Sequence, residues 1–260
     1  MSDVLIPRPA STILPLRDTV GGVEVLLVRR NLNSDFVGGA YVFPGGAVDA
    51  VDNAIAGRVV GLDDRTASKR LGLSAGGLAY YVAALRELFE EAGLLLVTGP
   101  GGVTSPTDVA TLARWRDDLN ARRRTFQDLL ETIDLALDLR SVAYLSHWVT
   151  PVGPPRRFDT RFFVVEAPSD QVAGHDEGET VAHRWIRPHD ALAAAASGAI
   201  TMILPTIRNL ESIAEFATVA DVLAWTTSPR AITVVEPRMA VRDGVTVILL
   251  PGDDGYGPAD

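Results

Sequence analysis

Three glutamates crowd about one turn of a predicted helix in this 260-residue chain. Glu87, Glu90 and Glu91 are three and four positions apart, and apolar residues recur at helical spacing on the other side, so we expect the carboxylates on the solvent side. Like charges at this spacing repel by a few tenths of a kcal/mol per pair. Either they form a solvated helix face, or a hard divalent cation such as Mg²⁺ binds them and bridges to substrate phosphates.

A pair of glycines precedes this helix in the chain. Gly45 and Gly46 follow a strand-like segment, residues 40–43. Paired glycines allow a turn with positive φ, or a close approach by a ligand that side chains would block. A strand, a glycine turn and a carboxylate helix together favour the metal interpretation over the solvated face.

Residues 43–94 resemble the Nudix box, Gly-x5-Glu-x7-Arg-Glu-U-x-Glu-Glu-x-Gly-U, where U is a bulky aliphatic residue. Residues 86–94 match every specified position of its second half. In the first half, Asp52 stands where the family has Glu, and 33 residues (53–85) separate it from Arg86 where the pattern has seven. The chain is similar to a minor branch of the superfamily that carries such an insertion and includes a peroxisomal coenzyme A diphosphatase.

The resemblance implies an α/β fold, the Nudix-type α/β/α sandwich with a mixed sheet, here with inserted helices and a C-terminal extension. We expect a Nudix domain over residues 10–198, with insertions at 53–78 and 103–140, and an extension over 199–260 packed on it. The first insertion contains a capped helix over 63–72. It could cover the substrate, form a dimer contact or pack on the surface, and the sequence leaves these three roles open.

Other elements follow from periodicity and turn residues. A hairpin is predicted from residues 13–17 and 23–30, and strands from 142–150, 161–166 and 182–186. Helices are predicted over 107–120, 125–139 and 188–197, and two helices and two strands within 200–250. Alternation of strands and helices agrees with the implied sandwich.

The resemblance also implies an activity, the metal-dependent hydrolysis of a diphosphate linkage in a nucleoside-diphosphate-type compound. Mg²⁺ or Mn²⁺ would be held by the three glutamates and Arg86 would orient them, while Gly45 and Gly46 would lie at the substrate. Coenzyme A or acyl-coenzyme A is the first candidate substrate, and ADP-ribose and dinucleoside polyphosphates are the alternatives. A sensor module that binds nucleotides without hydrolysing them is a further option, but all three glutamates are intact.

An acidic loop ahead of the strand at 182–186 offers further carboxylates. In many Nudix enzymes such a loop supplies a metal ligand or the general base, so Glu179, and after it Glu177, are our candidates. Asp52 is weaker because its side chain is shorter and the insertion begins directly after it. The alternative is a solvated acidic turn.

Arginines in two segments could offset phosphate charge. Arg29 and Arg30 end the second predicted strand, and Arg156 and Arg157 lie in a loop before the strand at 161–166. Either pair could instead be structural.

The net charge and composition of the chain limit the kinds of binding partner and the chemistry that we expect. A net charge of −9 argues against nucleic-acid binding, which needs basic stripes. The absence of cysteine rules out disulfides and thiolate chemistry. No apolar run approaches the ~20 residues of a membrane span, so we expect a cytoplasmic protein with a small-molecule substrate and no membrane partner, with homodimer formation open.

Overall fold

The computed structural model describes residues 5–32, 37–99, 109–176, 178–242 and 244–257. The strands are β1 (Arg8–Thr19), β2 (Gly22–Arg30), β3 (Tyr41–Val42), β4 (Gly45–Ala47), β5 (Val59–Val60), β6 (Val97–Thr98), β7 (Ala136–Asp138), β8 (Ala143–Val149), β9 (Phe158–Glu166), β10 (Thr180–Ile186), β11 (Val234–Val235), β12 (Arg238–Arg242) and β13 (Val245–Leu249). The helices are α1 (Ala50–Ala54), α2 (Asp64–Leu71), α3 (Gly77–Ala92), α4 (Val109–Asn120), α5 (Phe126–Thr132), α6 (Pro188–Ala196), α7 (Leu204–Ile213) and α8 (Val219–Thr227).

An eight-stranded mixed sheet lies at the centre, in the order β10-β2-β1-β9-β8-β11, with β3 paired to β2 and β4 paired to β1. The β1–β2 hairpin is antiparallel, as predicted, and β1 runs parallel to β9. Alternate side chains of β1 enter two cores, with Ile13 facing α3 and Leu14 facing α7 and α8. The predicted α/β/α sandwich is confirmed.

The helix α3 carries the predicted glutamates, and the first insertion caps it. Asp64 of α2 accepts hydrogen bonds from the backbone N–H groups of Gly76 and Leu78, at 3.1 and 3.0 Å. Ser68 Oγ accepts a third from Gly77 at 2.8 Å. These groups satisfy N–H donors that a helix start leaves unpaired, and the carboxylate complements the helix dipole.

The insertion also packs into the core that covers α3. Ile55, Ala67 and Leu71 are buried in the same apolar cluster as the inner face of that helix. A Cβ on Gly77 would lie 2.3 Å from the backbone nitrogen of Ser68, so only glycine allows α2 to approach α3 this closely. This packing into the core positions the helix. It differs from the surface packing that the sequence left open, and a role over the substrate or in a dimer stays a prediction.

The second insertion corrects one predicted element. The helix expected over 125–139 ends at Thr132, and β7 follows it. Asp134 adopts a positive φ of 50°, which ends the helix. Leu135, Leu137 and Leu139 are buried while the residues between them are not, which is the period of a strand. β7 joins β5 of the first insertion and β6 in a small three-stranded sheet.

Residues beyond 198 contribute to the sandwich itself. Leu210 and Ile213 of α7 and Val219 and Val222 of α8 are buried in the core on the second face of the sheet. β11 pairs in parallel with β8. The strand β12, which the sequence reading missed, forms a separate hairpin with β13. The boundary at residue 198 stays a prediction.

In the described part of the chain, no helix has the length and apolar character needed to cross a membrane.

Candidate active site

Arg86 is the centre of a buried charge network. Its Nε and Nη2 donate to the two carboxylate oxygens of Asp52 at 2.8 and 3.2 Å, and its Nη1 donates to Glu87 at 2.8 Å and Glu90 at 2.9 Å. Nη2 also donates to the carbonyl oxygen of Ala47 at 2.9 Å. Burial disfavours the charged guanidinium, but the hydrogen bond with Asp52 and the neighbouring carboxylates raise the pKa of Arg86. This single side chain therefore joins the two parts of the sequence that the insertion separates.

Asp52 is fixed as a structural partner. Its carboxylate is buried against Arg86, and its Oδ2 also accepts from the backbone N–H of Asp49 at 2.8 Å, closing a capping box at the start of α1. A carboxylate occupied on both oxygens is poorly placed to take a proton from water. The geometry supports the ranking of Asp52 below the acidic loop.

The expectation that the glutamates lie on the solvent side is wrong. Glu87 and Glu91 are 9% and 5% exposed, and Glu90 is the only α3 residue that is not buried. The helix is covered on almost every side, by the sheet, by α2 and by α4. Glutamates with this burial are not a solvated helix face.

Burial raises the pKa of all three carboxyls. It raises the pKa of Glu87 to about 7, with Arg86 opposing and the charge of Glu90 adding to the rise. Burial, and next the charge of Glu87, hold the pKa of Glu91 well above its usual range, and Arg30 opposes this. Burial likewise raises the pKa of Glu90. Strongly perturbed carboxyls grouped beside a cavity are typical of functional sites.

The two glycines lie in the short strand β4 and not in a turn of positive φ. A Cβ on Gly46 would lie 2.4 Å from Glu87 Oε1, and a Cβ on Gly45 would lie 2.5 Å from the carbonyl oxygen of Ser11. The backbone N–H of Gly45 donates to Glu91 Oε2 at 3.4 Å. Glycine is needed at position 46 because the Glu87 carboxylate lies directly against the strand, and at position 45 because β1 does.

The acidic loop approaches the same carboxylates. The charge of Glu179 contributes to the raised pKa of Glu87, Glu90 and Glu91, which places its carboxylate near all three. Asp176 holds the loop by accepting from the backbone N–H groups of Thr180 and Glu179, at 2.7 and 3.0 Å. Glu177 lies outside the described residues.

Arg116, on the helix α4 of the second insertion, ties the end of α3 to this loop. Its Nε donates to the carbonyl oxygen of Glu90 at 2.8 Å, and its Nη1 donates to that of His175 at 3.2 Å. Gly93, which ends α3 with a φ of 72°, leaves room for the guanidinium. This contact could not be predicted from the sequence, because periodicity places Arg116 on a helix without showing what that helix contacts.

The predicted phosphate-binding arginines separate into two groups. Arg30 and Arg156 line a cavity, whereas Arg29 is exposed and not among its lining residues. Arg157 is buried and donates to the carbonyl oxygens of Thr150 and Leu5, at 3.0 and 2.7 Å, and to the Glu236 carboxylate. The prediction that Arg157 binds substrate is therefore wrong, because its guanidinium is used in structural contacts. Of the two arginines at the end of β2, the structure favours Arg30 over Arg29 for phosphate binding.

The cavity has a volume of about 900 Å³ and opens on the β1–β9 sheet face opposite α3. One end is polar, with Gly45, Gly46, Arg30 and Glu179. The other end is apolar and includes Trp148 and Pro151. Its size falls at the upper end of the usual range for small-molecule sites.

The donor set suits a hard divalent cation. Three glutamates of one helix and a fourth carboxylate offer oxygen ligands, and like charges that raise one another's pKa are what a cation would relieve. No complete cluster of three or more ligating side chains is assembled within the described ranges. Arg86 holds Glu87 and Glu90 instead, so metal binding would require those side chains to turn towards Glu91.

A mixed sheet between helices, with an Arg-Glu-x-x-Glu-Glu helix against a glycine strand, defines a Nudix hydrolase fold. The sequence profile described as the NUDT19 Nudix domain matches residues 63–213. The human protein named acyl-coenzyme A diphosphatase NUDT19 is 30% identical over 289 residues, covering 96% of this chain and 76% of the relative. The Xenopus laevis protein of that name is 29% identical, covering 90% and 71%.

A solved structure agrees with this assignment. The crystal structure of a NUDIX hydrolase from Alicyclobacillus acidocaldarius superposes with a TM-score of 0.69 at 30% identity, covering 84% of this chain and 96% of that one. The chain belongs to the NUDT19 Nudix domain family, and it is a Nudix hydrolase.

Proposed function

We propose that this enzyme uses a divalent cation to hydrolyse the diphosphate linkage of a nucleoside-diphosphate-type compound, with coenzyme A or its acyl esters as the first candidates. The observation that carries the proposal is the buried pair Glu87 and Glu91, held on the α3 side of the Gly45–Gly46 strand. The two glycines line the cavity, whereas neither glutamate is among its lining residues. The names of the relatives from human and Xenopus laevis support the choice of substrate.

In this proposal Glu87, Glu90 and Glu91 hold Mg²⁺ or Mn²⁺. When bound, the cation would polarise phosphate oxygens and lower the pKa of a water molecule. Arg86 holds Glu87 and Glu90 in the metal-free structure and remains charged, since its pKa is raised. It would orient both carboxylates as they turn towards Glu91 and the cation. Gly46 lets the strand β4 approach Glu87, and both glycines line the cavity that would hold the substrate.

Glu179 is our proposed general base or additional ligand. A base must come within about 3 Å of the attacking water, or reach it through one further water. Glu179 lines the cavity, and its backbone is fixed by Asp176 and by a 2.9 Å hydrogen bond from Asn31, while its side chain is exposed. Glu177 remains the second candidate.

Arg30 and Arg156 would offset the negative charge of the substrate. Both line the cavity, and Arg30 lies close enough to Glu91 to lower its pKa. A guanidinium beside a diphosphate would form charge-assisted hydrogen bonds.

Two other substrate classes compete with coenzyme A, namely ADP-ribose and dinucleoside polyphosphates. A nucleotide-sensing module without turnover is less well supported, because the carboxylates are intact and buried. The family match supports a small-molecule substrate. The lack of a nucleic-acid partner, a homodimer and the cytoplasmic location stay predictions.

A screen of these compounds with Mg²⁺ and Mn²⁺, read by product mass, tests the function. We expect coenzyme A to give a phosphopantetheine product and an adenosine bisphosphate, and no turnover after metal removal by a chelator. Rapid cleavage of ADP-ribose with coenzyme A untouched would show that the substrate assignment is wrong. Equal turnover with the chelator present would contradict the metal dependence.

A further inference from the structure

The apolar end of the cavity is built by the C-terminal hairpin. Three residues of this region line the same cavity as Gly45 and Gly46: Pro237 directly before β12, Met239 in β12 and Ile248 in β13. Met239 pairs directly with Ile248 across the hairpin, so the two side chains project from one face. Trp148, Pro151 and Phe158 line the same cavity from β8, β9 and the loop between them.

This apolar face has no protein neighbour over much of its area. Met239 and Ile248 are 52% and 56% exposed, although the hairpin is fixed to the molecule on its other face. There Leu249 is buried, and Arg238 stacks on Tyr256 at 4.4 Å from the ring centroid. Side chains that line a cavity and stay half exposed can bury further area when a ligand enters.

Several contacts hold the hairpin in place at the cavity. Arg157 forms an ion pair with Glu236, directly before β12, and also bonds Leu5 and Thr150. Tyr256 donates to the carbonyl oxygen of Glu236 at 2.7 Å. A Cβ on Gly153, in the β8–β9 loop, would lie 2.7 Å from the terminal methyl of Met239, so the loop packs directly on this side chain. The wall is therefore a positioned surface, which an isolated two-stranded hairpin would not provide.

We propose that Met239 and Ile248 form a subsite for the apolar acyl group of an acylated substrate, while its diphosphate lies at Gly45 and Gly46. The inference rests on the proposed function, because the diphosphate end fixes where the substrate begins. The polar and apolar ends belong to one continuous cavity, and the substrate has the same division into an anionic and an apolar part. The hairpin then determines selectivity for acylated over free substrate.

The test uses the full chain with the double substitution Met239→Gln and Ile248→Thr, which replaces apolar groups by polar ones. Gln is close to Met in length, and Thr is one methyl group smaller than Ile. Val245→Thr is the matched control, since Val245 is on the same hairpin, 63% exposed and outside the cavity lining. The first readout is the ratio of kcat/KM for octanoyl-coenzyme A to that for coenzyme A. We expect this ratio to fall about tenfold or more in the double variant, which is the lower end of the discrimination that hydrophobic pockets provide. In the control it should stay within about twofold of the wild-type ratio.

The second readout is calorimetric binding of octanoyl-pantetheine, which carries no diphosphate and needs no turnover. We expect binding to wild type and about tenfold weaker binding to the double variant. Binding that is absent, or equal in all three proteins, overturns the subsite even if coenzyme A is hydrolysed. If the double variant binds adenosine 3′,5′-bisphosphate more weakly but binds octanoyl-pantetheine as tightly as wild type, the hairpin contacts the nucleoside and the proposal is wrong. Failure of hydrolysis alone, with the expected binding, overturns only the proposed function.

Discussion

The two ends of the cavity are built from different parts of the molecule. Behind the glycines of the polar end, the glutamates belong to a helix buried in the core, and Arg86 donates hydrogen bonds to Glu87 and Glu90. At the apolar end, the wall is a two-stranded hairpin outside the main sheet. Elements of the core can hold charges in one geometry, whereas a peripheral hairpin can vary without disturbing them. The chemistry and the selectivity of the enzyme therefore belong to separable elements.

The largest expected effect is at the polar end. Glu91→Gln and Glu90→Gln should each abolish metal-dependent turnover, because each removes a charged ligand while leaving a side chain of the same size. In the metal-free state Glu91→Gln should also raise the free energy of unfolding at neutral pH, since buried Glu91 must hold a proton that the unfolded chain releases, whereas glutamine is neutral in both states. Initial rates with Mg²⁺ and urea unfolding check both statements.

Glu215→Gln is the matched control for these variants, because Glu215 is an exposed glutamate. It should leave turnover and stability unchanged. Full hydrolysis by both Glu90→Gln and Glu91→Gln would remove the basis for placing the chemistry at this end.

The next effect concerns the acidic loop. Glu179→Gln should lower kcat by about 10²–10⁴-fold at saturating metal, the loss expected for a general base. Glu177→Gln serves as the comparison within the loop. A large loss confined to Asp52→Asn, with both loop variants near normal, would transfer the role of base to Asp52.

Asp52→Asn tests whether Asp52 has a structural role and not a role as general base. We expect it to lower the free energy of unfolding by about 1.5–3 kcal/mol, because it weakens charged hydrogen bonds to Arg86 and the cap of α1. Urea unfolding measures this. A variant as stable as wild type would show that the network does not depend on Asp52.

The raised carboxyl pKa values predict how stability varies with pH. Folded Glu87, Glu90 and Glu91 hold protons at a pH where the unfolded chain has lost them, so stability of the metal-free protein should fall as pH rises from about 5 to 7. The slope is about 1.4 kcal/mol per pH unit for each proton retained. Mg²⁺ should restore stability at pH 8, and Tm measured with and without metal checks this. A Tm that rises over this range in the metal-free protein would contradict the burial of these charges.

The smallest expected effect is at the cap of α3. Asp64→Ala should cost about 0.5–2 kcal/mol of stability, since it leaves two backbone N–H groups of the helix start without their partner. Urea unfolding checks it. An unchanged stability would mean that the insertion does not support the helix.

The grouping of the glutamates could be predicted because it depends on local features of the sequence, while their roles at the site stay predictions. Residues 86–94 are contiguous, helical spacing brings Glu87 near Glu91, and the glycines read as a close approach. Burial of the glutamates was missed, because the strand β4 that lies against Glu87 and Glu91 is distant from them in the sequence. The pairing of Arg86 with Asp52 crosses the insertion, and no spacing rule shows it.

The apolar end could not be predicted from sequence patterns. Ile248 lies in a predicted strand and Met239 lies in a segment without a predicted element. The pairing of β12 with β13 and the ion pair between Arg157 and Glu236 bring them to the cavity. Arg157 was interpreted as a phosphate ligand because charge in a loop does not show whether a buried partner exists. The second half of the 125–139 segment was wrongly predicted to be helical. Its leucines alternate with the period of two residues that is typical of a strand.

Metal binding at the three glutamates is the central claim, and Mn²⁺ titration followed by electron paramagnetic resonance tests it most directly. Wild type and Glu215→Gln should bind Mn²⁺ with equal affinity, and Glu91→Gln should bind at least about tenfold more weakly, because even changes to the partners of metal ligands cost 10–100-fold. Equal Mn²⁺ affinity in all three proteins, with coenzyme A still hydrolysed by Glu91→Gln, would contradict the account.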